Sequence, residues 1–418
     1  MHAPNWTRRG FLASAAAASF LPKQLFAAGD MVLSNATLVM PDGSRVQGGI
    51  RCREGKIVEI GASVTGGTDL KGKWIVPGFT DAGCRLGLLE VGMERSTHDT
   101  SAKKSIALDA RPWDGYNPRS ELIPVARVNG ITQVLLNPEM SGMIPGQAAL
   151  MRTAGDVLSD VIIGDPVGLC LNLGRAGQGH EGPKSRIALM MEFRKFFEEN
   201  PGKKDKKGKG KKDKDQGKKD KEPGKSKEDL IADFRSGSLM ALVRAHRADD
   251  IERALDLIEE NELNGVLVGC IEGHLVADRI AKAGIPVILG PLDAQPSSFQ
   301  HPHAIYENPA ILDAAGVKLA FRSGDAHQVR NLPTLAGLAV AHGLPWTSAI
   351  QALTVNPMDI FGQPEMGRLA VGSEATMFVV DGDPLQPRNA VRDVFIRGER
   401  TSMATRQTKL YDEFKELR

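Results

Sequence analysis

The chain has 418 residues, of which 41% are hydrophobic and 25% charged, and its formal net charge at pH 7 is +2. This length exceeds what one small core needs, so it predicts a large domain with a smaller satellite domain. Residues 203–227 hold 13 lysines and 5 acidic residues, which is a local charge of +8 and leaves 2 − 8 = −6 for the rest. A body with this negative charge is not expected to bind polyanions, which argues against nucleic acid as a partner.

The N-terminus has the pattern of a secretion signal. Arg8 and Arg9 precede an apolar, alanine-rich stretch at residues 11–21. This order predicts a twin-arginine signal peptide over residues 1–29. The alternative of an anchoring transmembrane helix is disfavoured, because a bilayer takes about 20 apolar residues to span. We therefore expect the folded protein to be exported to the periplasm or the extracellular space, without a transmembrane helix.

The four cysteines, Cys52, Cys84, Cys170 and Cys270, are far apart and form no Cys-x-x-Cys pair. This spacing matches neither a disulfide framework nor a zinc ribbon. In a chain that folds before export, we expect free, buried thiols rather than disulfide bonds.

Both ends of the chain predict β-structure. Residues 31–61 alternate short β-prone runs with Asp-Gly and Glu-Gly turns, as in a β-meander. A similar pattern returns at residues 367–400. Between them, apolar runs alternate with amphipathic segments, which favours a parallel sheet covered by helices. The predicted strands are WIVPGFT, ITQVLLN, VGLCLNL, LMALVRA, GVLVGC, PVILG and KLAFRS.

An eighth strand is expected at either residues 147–151 or residues 157–163, and the pattern does not choose between them. With eight strands, right-handed βα repetition favours a closed barrel. An open, doubly wound sheet is the alternative, because strand count does not separate the two. The lysine-rich segment lacks apolar residues and predicts a disordered insertion at residues 201–228.

The segment Trp74-Ile75-Val76-Pro77-Gly78-Phe79-Thr80-Asp81-Ala82-Gly83-Cys84-Arg85 resembles the VPGxxDxHxH motif of the amidohydrolase superfamily. Together with NPRSELIPVARVNGIT, PGQAAL and DGDP, it is similar to the imidazolonepropionase-like branch over nearly the whole mature chain. This resemblance implies an α/β fold, a (β/α)8 TIM-like barrel with a small β-sandwich built from both chain ends. The expected parts are the signal 1–29, the sandwich segments 30–73 and 363–403, the barrel 74–362 and the tail 404–418.

The resemblance also implies metal ligands that this chain has largely replaced. Gly83 and Arg85 stand where the family has two histidines, and Gly269 stands where another is usual. A glycine has no side chain and an arginine stays protonated, so neither can serve as a ligand. The family motif His-Ala-His reads Arg244-Ala245-His246, and whether the ligand is the first or the second position stays open. The expected cofactor is therefore none, or a single weakly held divalent metal such as zinc.

Asp325, after the last predicted strand, matches the family's metal ligand and general base. The alternative for Asp325 is a helix cap or an ion pair with Arg85 or Arg244. His246 is the expected acid, while His246, His274 and Asp325 are the candidate ligands if a metal binds. His274 is also explained as a surface histidine at a helix start.

The arginines at ligand positions suggest that protein charge replaces metal charge. Arg175 stands where the family tends to have glutamate, and Arg85 and Arg244 are the other two. Guanidinium groups suit carboxylates and phosphates, so these three are the expected substrate-binding residues. The sharpest hypothesis is that Arg85, Arg244 and Asp325 line one anion-binding cavity.

Three functions stay open. The first is hydrolysis of non-peptide carbon–nitrogen bonds in a small or cyclic amide, as the resemblance implies. The second is a metal-free pseudoenzyme that binds an anionic small molecule or an envelope partner. The third is a structural protein that docks on an anionic surface through the lysine-rich segment. A homo-oligomer is compatible with each of the three.

Overall fold

A computed structural model describes residues 30–139, 141–178, 182–202, 226–293, 295–296 and 299–417. The predicted export signal, residues 1–29, lies outside the described residues, as do residues 203–225 of the lysine-rich segment. In the described part, no helix combines the length and the apolar character needed to cross a membrane.

The chain forms two sheets and their covering helices. The strands are β1 (Met31–Val39), β2 (Arg45–Arg53), β3 (Lys56–Gly61), β4 (Thr68–Asp69), β5 (Trp74–Pro77), β6 (Phe79–Cys84), β7 (Ile131–Leu136), β8 (Gly146–Arg152), β9 (Ile162–Asn172), β10 (Met240–Ala245), β11 (Gly265–Gly269), β12 (Val287–Leu289), β13 (Leu319–Phe321), β14 (Met377–Val380), β15 (Val391–Ile396) and β16 (Glu399–Arg400). The helices are α1 (Leu122–Arg127), α2 (Leu158–Val161), α3 (Arg186–Glu199), α4 (Lys227–Ser236), α5 (Ala248–Glu260), α6 (Ala277–Ala283), α7 (Asn308–Ala314), α8 (Leu332–Ala341), α9 (Trp346–Leu353), α10 (Val355–Ile360) and α11 (Arg406–Phe414).

Strands β6 to β13 form a nearly closed barrel in chain order. The first and last strands meet through backbone hydrogen bonds just beyond them, from Gly324 N to Gly83 O at 2.9 Å and from Arg85 N to Asp325 O at 3.2 Å. The barrel prediction is therefore confirmed over the open-sheet alternative.

One strand departs from the predicted βα repeat. Strand β8, which contains the first of the two candidate eighth strands, runs antiparallel to both β7 and β9. A parallel neighbour needs a crossover of a dozen or more residues, usually a helix. The connections on either side of β8, residues 137–145 and 153–161, are shorter than that and carry only the one-turn helix α2. The second candidate, residues 157–163, instead covers α2 and the start of β9.

The interior of the barrel is lined by apolar side chains, and one layer of polar side chains follows them along the strands. Its core includes Leu135, Cys170, Leu242 and Ala320, one from each of four strands. Because side chains two residues apart share a face of a strand, the next inward positions are the polar residues that follow each of these by two. Those residues are Asn137, Asn172, Arg244 and Arg322.

The second sheet joins the two ends of the chain. Its strands lie in the order β16-β15-β14-β5-β1-β2-β3, with β4 beside β1, and β14 from the C-terminal part pairs with β5. Strands predicted at both chain ends are thus present and share one sheet. That this sheet is one layer of a β-sandwich stays a prediction.

All four cysteines are buried and free, as predicted. Burial raises the pKa of Cys52 and of Cys170 to about 12. The thiols therefore stay protonated at neutral pH and act as small apolar side chains of the core.

Candidate functional site

A cavity of about 390 Å³ opens at the carboxyl ends of β9, β10, β11 and β12, which is where barrel enzymes carry their sites. We call it the mouth cavity. Three arginines, two histidines and one carboxylate contribute to its wall. The lining residues are Leu173, Arg175, Ala176, Arg186, Arg244, His246, Asp250, Ile271, Pro291, Gln300 and His301.

Arg244 is the most unusual residue of the mouth cavity. Its Nε donates to His246 Nε2 at 3.0 Å, and within the described part of the chain it has no carboxylate partner. Burial, together with the positive charges of Arg322 and Arg85, lowers the pKa of Arg244 to about 9. That value is still well above 7, so the guanidinium is charged at neutral pH.

His246 holds Arg244 in place as a neutral imidazole. Burial is the main cause that lowers the pKa of His246 well below its ordinary value, and the nearby Arg244 adds to the shift. Since Nε2 accepts a hydrogen bond, the proton of the neutral ring belongs on Nδ1. Nδ1 is buried and has no partner among the described residues.

Gly269 makes room for this histidine. A Cβ atom at position 269 would lie 2.4 Å from His246 Cε1, and the backbone there has a φ of +100°. Both facts favour glycine over any other residue. A histidine at 269 therefore does not fit beside His246 as it is placed, which gives a physical reason for the replacement seen in the sequence.

Arg186 and Arg175 differ in their charge balance. Arg186 makes a two-point ion pair with Asp250, with distances of 2.7 and 2.8 Å, and also donates to Gln300. Arg175 is exposed on the wall of the cavity and has no ion pair within the described residues. The mouth cavity thus keeps excess positive charge at Arg175 and Arg244.

A fourth arginine, which the sequence analysis missed, lies deeper in the barrel. Arg322 is only 4% exposed, and its Nε donates to Gly83 O at 3.3 Å. A Cβ atom at Gly83 would stand 3.0 Å from Arg322 Nε, so the guanidinium lies against the place where a side chain at 83 would begin. Arg322 thus fills the space beside Gly83, the position where the resemblance would place a histidine.

Asp81 of the same segment stabilises the place where the first and last strands of the barrel meet. Its Oδ1 accepts from the backbone N–H groups of Gly83 at 3.0 Å and Ser323 at 3.1 Å, while Oδ2 is buried without a partner in the described structure. Burial raises the pKa of Asp81 to about 6, against the opposing effect of these hydrogen bonds and of Arg322.

Arg85 and Asp325 do meet, but not in the mouth cavity. Arg85 Nη2 lies 3.5 Å from Asp325 Oδ2, and neither residue lines the cavity that contains Arg244. Asp325 Oδ1 accepts from the backbone N–H groups of His327 and Gln328 at the start of a 3-10 helix, Gln328–Asn331. Asp325 therefore has the cap and ion pair given as its alternative role. Of Arg85, Arg244 and Asp325, only Arg244 is among the residues that line the mouth cavity, while Arg85 and Asp325 converge on each other, so a single anion-binding cavity shared by all three stays a prediction.

His274 also lies outside the mouth cavity. It belongs to the short 3-10 helix Gly273–Val276, where its backbone N–H donates to Asn308 Oδ1 at 2.8 Å. Burial lowers the pKa of His274. The loop does not bring it to the wall beside His246.

The donor set of the barrel mouth does not fit the metal that the resemblance implies. Gly83 and Gly269 offer no donor atoms, His246 Nε2 is taken by Arg244, and Asp325 is taken by Arg85 and the backbone. Among the described residues, no three His, Cys, Asp or Glu side chains are grouped as a metal site needs. A zinc site usually has at least three protein ligands.

Comparisons with known proteins agree with this fold. Residues 303–401 match the model of the amidohydrolase family. An amidohydrolase from Thermotoga maritima MSB8 has a similar structure, with a TM-score of 0.77 and 24% identity over 89% of this chain and 99% of that one. No curated protein matches the chain in sequence.

More distant structures share the architecture. A β-aspartyl dipeptidase from Fervidobacterium islandicum AW-1 has a TM-score of 0.52 and 12% identity over 90% of this chain and 99% of that one. A D-hydantoinase has a TM-score of 0.51 and 13% identity over 89% and 95%. The chain therefore has the fold of amidohydrolase structures, and the match over residues 303–401 supports the amidohydrolase superfamily.

Proposed function

We propose that the protein hydrolyses carbon–nitrogen bonds other than peptide bonds in a small or cyclic amide bound in the mouth cavity. The observation that carries the proposal is the coincidence of an amidohydrolase family match with a cavity at the catalytic end of the barrel. Hydrolases among the similar structures support the reaction class. Fold alone does not give an activity, so the proposal depends on the residues of the cavity.

Arg244 is the residue best placed to bind and orient a substrate. Its Nε is held by His246, which orients the guanidinium, and it lines the cavity. Arg175, on the wall of the same cavity, is a second cation and can stabilise negative charge that develops on a carbonyl oxygen of the substrate. His246 serves as the positioning residue in this scheme. Asp325, which the sequence analysis paired with His246 as the base, lies outside the cavity wall and is not assigned a role there.

We also propose that this reaction needs no zinc, because the donor set of the barrel mouth is incomplete. The test is turnover of hydantoin, dihydrouracil and N-acetyl amino acids by the purified protein before and after treatment with a chelator. We expect chelator-insensitive release of product and far less than one zinc per chain by elemental analysis. One zinc per chain, with activity lost on chelation, would contradict the proposal.

Binding without catalysis is the second candidate. Arg322 fills the space beside Gly83, a position where the resemblance implies a metal ligand, and this placement supports a metal-free pseudoenzyme that binds an anion. The same panel separates the candidates. A protein that binds members of the panel and turns over none of them would support the pseudoenzyme and contradict the hydrolase.

A further inference from the structure

We propose that Arg244 is the receptor for one small carboxylate in the mouth cavity, where Arg175 adds a second positive charge to the wall. If the proposed hydrolysis holds, the substrate is a small amide that carries its own carboxylate, and this part rests on the proposed function. The binding of the carboxylate does not rest on it.

The charges of the mouth cavity favour an anion. Among the described residues, three arginines and one carboxylate line the cavity, and that carboxylate, Asp250, is already paired at two points with Arg186. Arg244 and Arg175 keep their charges unpaired within the described residues. Arg322 lies deeper and adds positive charge to the field at Arg244. A desolvated cation without a counter-ion is unfavourable, and a bound anion removes that cost.

The geometry of Arg244 suits a carboxylate. His246 accepts from the Nε of Arg244, so the guanidinium plane is fixed while its two terminal nitrogens stay available. Neither terminal nitrogen has a hydrogen-bond partner in the described structure. Two parallel N–H groups at the end of a guanidinium match the two oxygens of a carboxylate.

The size of the mouth cavity limits the ligand to a small molecule. A volume of about 390 Å³ is at the small end of ligand cavities, which run from about 300 to 1,000 Å³. The wall also includes the apolar side chains of Leu173, Ile271 and Pro291. These can contact the uncharged part of a molecule whose carboxylate lies at Arg244. A small N-acyl amino acid fits this description.

The experiment is calorimetric titration of the full-length protein with N-acetylglycine, its neutral amide N-acetylglycinamide, and inorganic phosphate. We expect one-to-one binding of N-acetylglycine, and binding of N-acetylglycinamide at least about tenfold weaker, because charge-assisted hydrogen bonds are lost. Arg244→Gln should weaken N-acetylglycine binding by about 10- to 100-fold. Arg244→Lys keeps the charge without the fork and should lie between the two proteins.

Arg247→Gln is the matched control. Arg247 lies three residues after Arg244, just beyond the end of β10, but its guanidinium is already paired at two points with Asp249, at 2.8 and 3.0 Å, and it is not among the lining residues of the cavity. Its loss should leave N-acetylglycine binding unchanged. An unaltered melting temperature of the variants would show that they fold.

Several outcomes would overturn the receptor. They are equal binding of N-acetylglycine and its neutral amide, full binding by folded Arg244→Gln, tighter binding of phosphate than of N-acetylglycine, and no saturable binding of any probe at millimolar concentration.

Measuring the release of product distinguishes the carboxylate receptor from the proposed hydrolase. Carboxylate binding without glycine release supports the receptor and counts against hydrolysis. Equal hydrolysis of both amides supports the hydrolase and overturns the carboxylate assignment.

Discussion

Two partly buried arginines at opposite ends of the barrel have different kinds of partner. Arg152 ends β8 opposite Gln133 near the start of β7, so it lies at the amino-terminal end of the barrel. There its Nη2 meets Glu374 Oε2 at 2.6 Å, with only 14% and 17% of the two side chains exposed. Arg244, at the carboxyl end, meets a neutral histidine instead.

This difference distinguishes an arginine that stabilises the fold, Arg152, from the arginine that is proposed to bind a ligand, Arg244. The ion pair of Arg152 joins the barrel to the segment that leads into β14 of the terminal sheet, so both charges are neutralised inside the protein. Near the carboxyl end of the barrel, three of the described carboxylates have other partners, with Asp250 on Arg186, Asp325 on Arg85 and Asp81 on the backbone. Arg244 therefore has a charge without a carboxylate partner among the described residues, as the proposed receptor requires, and functional sites are where such unfavourable electrostatics are tolerated.

The largest effect is expected at the paired end. Arg152→Met should lower the free energy of unfolding by about 3 kcal/mol, because it leaves Glu374 partly buried without its cation. Denaturant titration of both proteins measures the change. The double variant Arg152→Met/Glu374→Gln should recover part of the loss, since no charge is then stranded. A loss below 0.5 kcal/mol would lie within the range of about ±0.5 kcal/mol that is ordinary for surface substitutions. It would show that the ion pair of Arg152 does not stabilise the fold.

Inside the barrel, the state of Asp81 can be followed through the pH dependence of the free energy of unfolding. Its pKa is raised from 3.8 to about 6 in the folded protein, so its contribution is complete below pH 3.8 and is lost as the pH rises through 6. The shift corresponds to about 3 kcal/mol at most, and we expect about 2 kcal/mol. Asp81→Asn keeps Oδ1 as an acceptor and should remove this drop. Identical pH profiles of the two proteins between pH 4 and 6 would show that Asp81 is not desolvated.

Gly269→Ala tests whether the mouth is packed around His246. The new Cβ would lie 2.4 Å from His246 Cε1 at a φ of +100°, and we expect a loss of about 2 kcal/mol in the free energy of unfolding. Gly284→Ala is the matched control, since its φ is +67° but no atom lies within 4 Å of the added Cβ. It should cost about 1 kcal/mol, which is the backbone effect alone. Equal losses would mean that His246 moves aside freely.

The sequence predicted the barrel well because its strands are short apolar runs at regular spacing. It did not predict that β8 runs antiparallel, since orientation depends on the lengths of the connections and not on the residues of the strand itself. The pairing of β14 with β5 is also beyond a local pattern, although both chain ends were correctly expected to contribute strands.

For the residues inside the barrel, matching positions to the family motif predicted less than counting by two along each strand. Position matching selected Arg85 and Asp325, which form an ion pair outside the mouth cavity, and it passed over Arg322. Counting by two from the buried Ala320 would have placed Arg322 inside the barrel, just as counting from Leu242 gives Arg244. No sequence signal gave His301 or Gln300, which long loops bring to the cavity wall.

The most direct test of the account is the stability of Arg244→Met measured with and without N-acetylglycine. Without it, we expect the stability of the variant to lie within about 1 kcal/mol of that of the natural protein, because removing the desolvation cost of a partly buried charge offsets the loss of the hydrogen bond to His246 Nε2. Added N-acetylglycine should raise the free energy of unfolding of the natural protein according to RT ln(1 + [L]/Kd) and leave Arg244→Met nearly unchanged. A loss of several kcal/mol in Arg244→Met, with the same stabilisation by N-acetylglycine in both proteins, would contradict the claim that Arg244 is kept unpaired for an anion.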